Sequence, residues 1–222
     1  MGALIAADTL QGPKVDWFAL SPLLILLGGA MVLLMVGALT PRWPKHCYAL
    51  FSAAVAAATG VMSFVLWDRV NHEGAKTLVG DAMWLDKFGI WIAIVVSVGL
   101  LMASLITDEY LRREELEGPE VYALYQLAAI GALVMGAAND LIVLFLGLEI
   151  LSIALYVLAA SHRKRLESQE SGLKYFILGA FSSAFLLYGI ALIYGASGST
   201  NYGRIAARFG DVVEVTRGKE SL

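Results

Sequence analysis

Glu149 stands in the middle of an apolar run. The stretch Asp140–Ala160 reads DLIVLFLGLEILSIALYVLAA, and between its ends only Glu149, Ser152 and Tyr156 are neither apolar nor small. A helix that starts at Asp140 carries Glu149 ~13 Å along its axis, close to the midplane of a bilayer whose hydrocarbon core is ~30 Å thick. A carboxyl group at that depth costs about 2.5–3.5 kcal/mol on insertion scales, so it normally faces protein or water and serves proton relay or ion binding. Two bland readings compete with this one. Glu149 is then either a neutral, hydrogen-bonded acid that joins helices, or an ion-pair partner with no transport role. Ser152 and Tyr156 lie three and seven residues further on and share its helix face, so both are candidate supporting residues. Ser152 can orient the carboxyl or bridge to water, although such a serine more often bonds its own i−4 carbonyl or lets helices approach.

Lys174 is the second ionisable candidate. It opens the run ESGLKYFILGAFSSAFLLYG, 25 residues after Glu149. As a relay residue it would be a lysine whose burial favours the neutral form, tuned by a nearby carboxylate. As a structural residue it would snorkel at a helix end. Glu149 is central and Lys174 near the edge, so a direct salt bridge is not assured and a water chain could connect them. Gly147, Gly179, Ser182 and Ser183 read as small residues for close helix packing. Asp140 and Glu170 border their runs as helix caps.

The elements that must hold these residues are membrane helices. Of the 222 residues 59% are hydrophobic and only 16% charged, whereas soluble domains average about 45–50% apolar and about 25% charged. Mean hydropathy is +0.71. The expected fold class is all-α, a polytopic transmembrane bundle with six spans at about Phe18–Leu39, Cys47–Trp67, Phe88–Ile106, Val121–Ala138, Asp140–Ala160 and Leu173–Gly195. Asn139 and Asp140 alone join spans four and five, which predicts a tight antiparallel hairpin. The N-terminus lacks the basic region of a cleaved signal peptide.

Loop charges set an orientation. Arg42 and Lys45, then Arg112 and Arg113, then Arg163, Lys164 and Arg165 occupy the first, third and fifth loops, which the positive-inside rule puts in the cytoplasm. Both chain ends then lie outside, against the pull of Arg204, Arg208, Arg217 and Lys219 in the tail. Trp17, Trp43, Trp67, Trp84 and Trp91 fall near span ends and suit an interfacial belt. The stretch TDEYLRREELEGPE reads as a solvated connector, with Pro119 starting span four. The single Cys47 permits no internal disulfide and no cysteine metal site. His46, His72 and His162 fall in loops, without metal spacing. Phosphate-loop, dinucleotide and serine-elbow motifs are absent, so the chain is expected to bind no nucleotide, flavin or iron–sulfur cluster itself. No basic face suggests nucleic acid.

The stretch from about Glu120 to Thr200 resembles a known family. The blocks ANDLIVLFLGLEILSIALYVLA and ESGLKYFILGAFSSAFLLYG carry the likeness. They look like the antiporter-like membrane subunits of respiratory complex I, most of all subunit N. The resemblance implies redox-driven proton translocation by a non-redox subunit of an NADH–quinone oxidoreductase. Glu149 occupies the position of a glutamate in the fifth helix, which in that family belongs to a half-channel. Lys174 matches a lysine at the start of the next helix. NADH, FMN, iron–sulfur clusters and quinone would sit in other subunits, and this chain would bind no cofactor. Its implied partners are the other membrane-arm subunits and the lipid bilayer, and its implied location is the bacterial plasma membrane.

Members of that family have about fourteen spans, with two inverted five-helix repeats. The later lysines of the family have no counterpart here, so a truncated, split or partial polypeptide is expected. The chain divides into 1–119 (spans one to three), 120–200 (the start of the antiporter-like core) and 201–222 (a polar tail, with a possible interfacial helix). Alternatives are a subunit of a cation/proton antiporter or of a membrane-bound hydrogenase, a non-transporting scaffold, or an unrelated small transporter.

Overall fold

A computed structural model describes residues 15–39, 46–114 and 118–219, with side chains described as far as Gly210. Trp43, Arg42 and Lys45 lie outside the described residues, as do the side chains of Arg217 and Lys219. Helices α1 (Ser21–Leu39) and α2 (His46–Glu73) are followed by strands β1 (Lys76–Leu78) and β2 (Met83–Leu85). Then come α3 (Lys87–Arg113), α4 (Pro119–Gly136), α5 (Leu141–Ala159), α6 (Leu166–Ser197) and α7 (Tyr202–Lys219). The sequence explains the ends. Asp86 accepts from the Gly89 N–H at 2.7 Å and Asp140 from the Ile142 N–H at 2.8 Å, capping α3 and α5. Pro119 takes the first position of α4, where its missing N–H costs nothing. Gly198, at φ 74°, closes α6 in the left-handed conformation.

The transmembrane helix bundle is as expected, and several details differ from expectation. Five helices, α1, α2, α3, α5 and α6, are long and apolar enough to cross a bilayer. The sixth expected span, α4, has 18 residues that include Glu120, Gln126 and two tyrosines. It runs against α1, α3 and α5, and so presents much of its surface to protein instead of lipid. In the second loop β1 and β2 pair as an antiparallel hairpin. The third-loop charges through Arg113 belong to α3, and α6 begins at Leu166. Lys174 therefore lies two turns inside a helix that it was expected to open. His46 and His72 are helical, at the first and last turns of α2. Glu170 does not cap a helix but lies within α6.

The core is built from small and aliphatic side chains of α1 to α4, among them Leu26, Ala56, Ala93, Leu100, Ala129 and Leu133. Gln126 is fully buried there. Its Nε2 donates to Ser52 Oγ at 3.4 Å, and the Ser52 and Ser104 hydroxyls bond each other at 2.9 Å. Among the described residues its Oε1 has no hydrogen-bond partner.

Hydrogen bonds and ion pairs sort the connections onto two faces. At one face, Asn139 Nδ2 donates to the carbonyl of Asp81 in the hairpin turn at 2.8 Å. The Asn139 carbonyl accepts from the Tyr202 N–H at 3.1 Å, and Asp140 Oδ2 accepts from the Thr200 hydroxyl at 2.7 Å. The hairpin, the α4–α5 turn and the α6–α7 turn thus form one corner. Asp16, just before α1, joins the same face by pairing with Arg69 at 3.0 Å. At the other face, Arg165 of the α5–α6 turn pairs with Glu114 at 2.6 Å, and His46 with Asp108 at 2.8 Å. Among the described residues, the connections after α3 and α5 share one face, and the hairpin and the α4–α5 turn share the other. Trp17, Trp67, Trp84 and Trp91 all fall on elements at the corner face.

Candidate intramembrane site

Glu149 is the ninth of 19 residues in α5 and is half-buried, on the side that meets α6. Ser183 of α6 donates its hydroxyl to Glu149 Oε1 at 2.5 Å. Three pairs align along this seam. Beside Glu149 and Ser183, the Tyr156 phenol oxygen lies where a Cβ on Gly179 would be, 1.8 Å from it. A Cβ on Gly172 would lie 2.5 Å from that of Ala160. The α5 members are spaced seven and four residues apart and the α6 members four and seven in reverse, which is what two antiparallel helices with one shared stripe require. Tyr156 also meets the rings of Tyr175 and Phe176 edge-on, at 4.9 and 5.8 Å between centroids.

The other flank of α5 is held by α4. A Cβ on Gly131 would lie 2.6 Å from the Gly147 carbonyl oxygen, and one on Gly147 would lie 2.9 Å from the Gly131 carbonyl oxygen. The two backbones touch here, two residues before Glu149, so the depth and rotation of Glu149 are set by main chain rather than by adjustable side chains.

The candidates from the sequence separate. Glu149 and Tyr156 share the α5–α6 seam, while Ser152, on the same helix, is not among the hydrogen-bond partners described for Glu149. Lys174 lies nine residues before Ser183, ~13 Å along α6. It pairs with Glu170 Oε1 at 2.5 Å, with its side chain 69% exposed. The structure therefore does not bring Lys174 to Glu149. Gly147 and Gly179 are close-packing residues as expected, but Ser183, read from the sequence as mere packing, is the side chain that bonds the acid. The stripe Gly172, Gly179, Ser183, Ile190 carries a signal for it, because these four residues of α6 recur at helical spacing and include both of its buried ones.

A cleft of about 810 Å³ runs from Glu120 and Arg163 at the Glu114 face to Tyr156, between α4, α5 and α6. Most of the rest of α6 is open, with Phe176, Ile177, Leu178, Phe181 and Phe185 all more than half exposed. Among the described residues no group of three or more histidine, cysteine or acidic side chains is placed to hold a metal ion.

These features define a class: a multi-pass membrane helix bundle with one hydrogen-bonded carboxyl between two of its helices. Residues 138–217 match the family model of NADH:quinone oxidoreductase/Mrp antiporter transmembrane proteins. The NADH-quinone oxidoreductase subunit N of Trichlorobacter lovleyi is 39% identical over 84% of this chain and 37% of its own length. That of Chloroflexus aggregans is 38% identical over 90% of this chain and 40% of its own length. A chain of respiratory complex I from Thermus thermophilus superposes with a TM-score of 0.66 at 26% identity, over 82% of this chain and 38% of that one. A chain of the membrane-bound sulfane sulfur reductase, an archaeal respiratory membrane complex, gives 0.67 at 23% identity over 85% of this chain and 39% of that one, a likeness of fold alone. The chain belongs to the antiporter-like membrane-subunit family that includes subunit N of NADH-quinone oxidoreductase. It spans about two fifths of the length of the curated relatives it matches.

Proposed function

We propose that this chain is part of a membrane subunit of a proton-translocating NADH–quinone oxidoreductase, in which Glu149 takes up and releases protons. The observation that carries the reading is the carboxyl of Glu149, mid-helix in α5 and engaged by a hydroxyl from α6, inside the segment that matches the family model. A carboxyl near the midplane is costly, and its usual place is where its charge is used. The cleft that reaches Tyr156 supplies a route for water toward the seam. The chain's part is to hold the proton and respond to neighbouring charge. Redox chemistry on NADH, FMN, iron–sulfur clusters and quinone belongs to other subunits.

In this reading the open face of α6 meets protein or lipid of the membrane arm, and α7 lies at the interface on the corner face. The core segment is 120–200, and Lys174 serves as a second proton-carrying group in pairing with charges beyond this chain. The location is a bacterial plasma membrane, with the corner face outside and the Arg163–Arg165 face in the cytoplasm. The test is Glu149→Gln in the complete subunit within its assembled complex. Normal assembly with loss of proton translocation supports the relay. Normal assembly with unchanged translocation overturns it, and failed assembly favours a scaffold.

A further inference from the structure

Many hydroxyls inside these helices bond their own helix, although Ser52 and Thr107 reach a neighbouring one. Thr59, Ser63, Ser97, Ser104, Ser171 and Ser197 each donate to the carbonyl four residues before, at 2.7–2.8 Å. Ser183 does not. Its hydroxyl leaves its own helix and donates to Glu149 Oε1. The carbonyl it forgoes is that of Gly179, the residue whose missing side chain makes room for the Tyr156 phenol.

A serine hydroxyl has one proton to donate and two lone pairs, while an ionised carboxylate only accepts and a protonated carboxyl also donates. We propose that Ser183 is a positioning residue for Glu149: its hydroxyl holds the ionised carboxylate, and when that carboxyl gains a proton it turns back to the carbonyl of Gly179. In the first state the Ser183 proton lies on the bond to Oε1. In the second, the new carboxyl proton is donated to Ser183 Oγ and the serine proton to Gly179 O. Ser183 neither gains nor loses a proton. The exchange needs only side-chain rotation, so the seam keeps a satisfied hydrogen bond in both states. The inference rests on the reading of Glu149 as a proton carrier.

Apart from Tyr156, whose phenol lies against Gly179 one turn from Ser183, the other titratable groups on the elements around α5 lie away from this pair. On α5 itself Tyr156 is two turns on, and Asp140 is the cap. On α4, Glu120, Tyr122 and Tyr125 fall in the first two turns, whereas Gly131 is the residue against Gly147. On α6, Glu167, Glu170, Lys174 and Tyr175 precede Ser183 by two or more turns, and Tyr188 and Tyr194 follow it on exposed surface.

The experiment is an infrared titration of membranes that contain the complete complex. The carboxyl C=O band that disappears in Glu149→Gln is followed against pH in the wild type, Ser183→Ala and Ser183→Thr. Ser183→Ala removes a charge-assisted bond from the ionised form and a weaker neutral one from the protonated form, so the midpoint moves up, by about one pH unit. Ser183→Thr keeps the hydroxyl and titrates as the wild type. The acid limb of proton translocation in Ser183→Ala shifts in the same direction. A midpoint in Ser183→Ala equal to that of the wild type overturns the assignment. If Glu149→Gln translocates normally, the functional reading fails instead, and a raised midpoint in Ser183→Ala still upholds the contact between the two residues.

Discussion

Gly131 and Gly147 meet backbone to backbone where α4 crosses α5. A methyl group on Gly131 would lie 2.5 Å from the Leu151 nitrogen, and one on Gly147 would lie 2.8 Å from the Met135 nitrogen. Neither clash is relieved by a side-chain rotation, since the blocking atoms are main chain. Gly147→Ala is therefore expected to force the helices apart and destabilise the bundle by about 1–3 kcal/mol. Thermal unfolding of the detergent-solubilised complex checks this. An unchanged Tm would show that the crossing is looser than described.

Lys174 is set apart from Glu149 by its pairing with Glu170 on exposed helix surface. Such an i,i+4 pair is worth about 0.3–0.5 kcal/mol. Lys174→Ala should leave assembly and Tm nearly as in the wild type. Its effect on proton translocation is expected to be smaller than that of Glu149→Gln. Equal losses of translocation for the two variants in assembled complex would place Lys174 on the same obligatory path as Glu149.

Asn139 ties three connections together through its side chain and its carbonyl. Asn139→Ala removes the bond to the Asp81 carbonyl, and Asn139 is 7% exposed. Asp81 is exposed and its carbonyl also accepts from Asn201 Nδ2 at 3.3 Å, so the cost is that of one net hydrogen bond, about 0.5–1.5 kcal/mol. Amide hydrogen exchange should accelerate at residues 81–84 and 200–204 together, although they are far apart in sequence. Acceleration at only one of the two segments would show that they are held independently.

Gln126 carries a buried acceptor with no partner among the described residues. Gln126→Leu has a similar volume and removes that orphan, while Ser52 and Ser104 keep their bond to each other. Stability should be unchanged or raised by about 1 kcal/mol, whereas Gln126→Glu should lower it. A marked loss in Gln126→Leu would show that the carboxamide is satisfied, for instance by an internal water.

Asp16 links the start of α1 to α2. The Ala19 N–H, followed by Arg69, holds its carboxyl below the ordinary value of 3.8, against the opposing effect of burial. A depressed folded value means that the contribution is present above about pH 3.8 and is lost as pH falls below it. The difference in Tm between the wild type and Asp16→Asn should be present at pH 6 and shrink at pH 3. A difference independent of pH would assign the effect to packing.

Much of this protein is legible without coordinates, because its signals are local. Long apolar runs mark membrane helices by the absence of charge, Asp140 and Pro119 mark where helices begin, and counting along one helix places Glu149 at mid-depth. Spacing of seven residues also puts Tyr156 on the face of Glu149. What tertiary structure decided is which faces meet. A membrane helix is apolar on its lipid side and its protein side alike, so periodicity does not tell which stripe of α6 meets α5. Ser183 is 34 residues from Glu149, and only packing selects it over Ser152. The corner around Asn139 joins residues up to 120 positions apart, and α4 tolerates Gln126 because neighbouring helices surround it. The depth of the acid is a property of one helix, whereas its hydrogen-bond partner is a property of the interface between two.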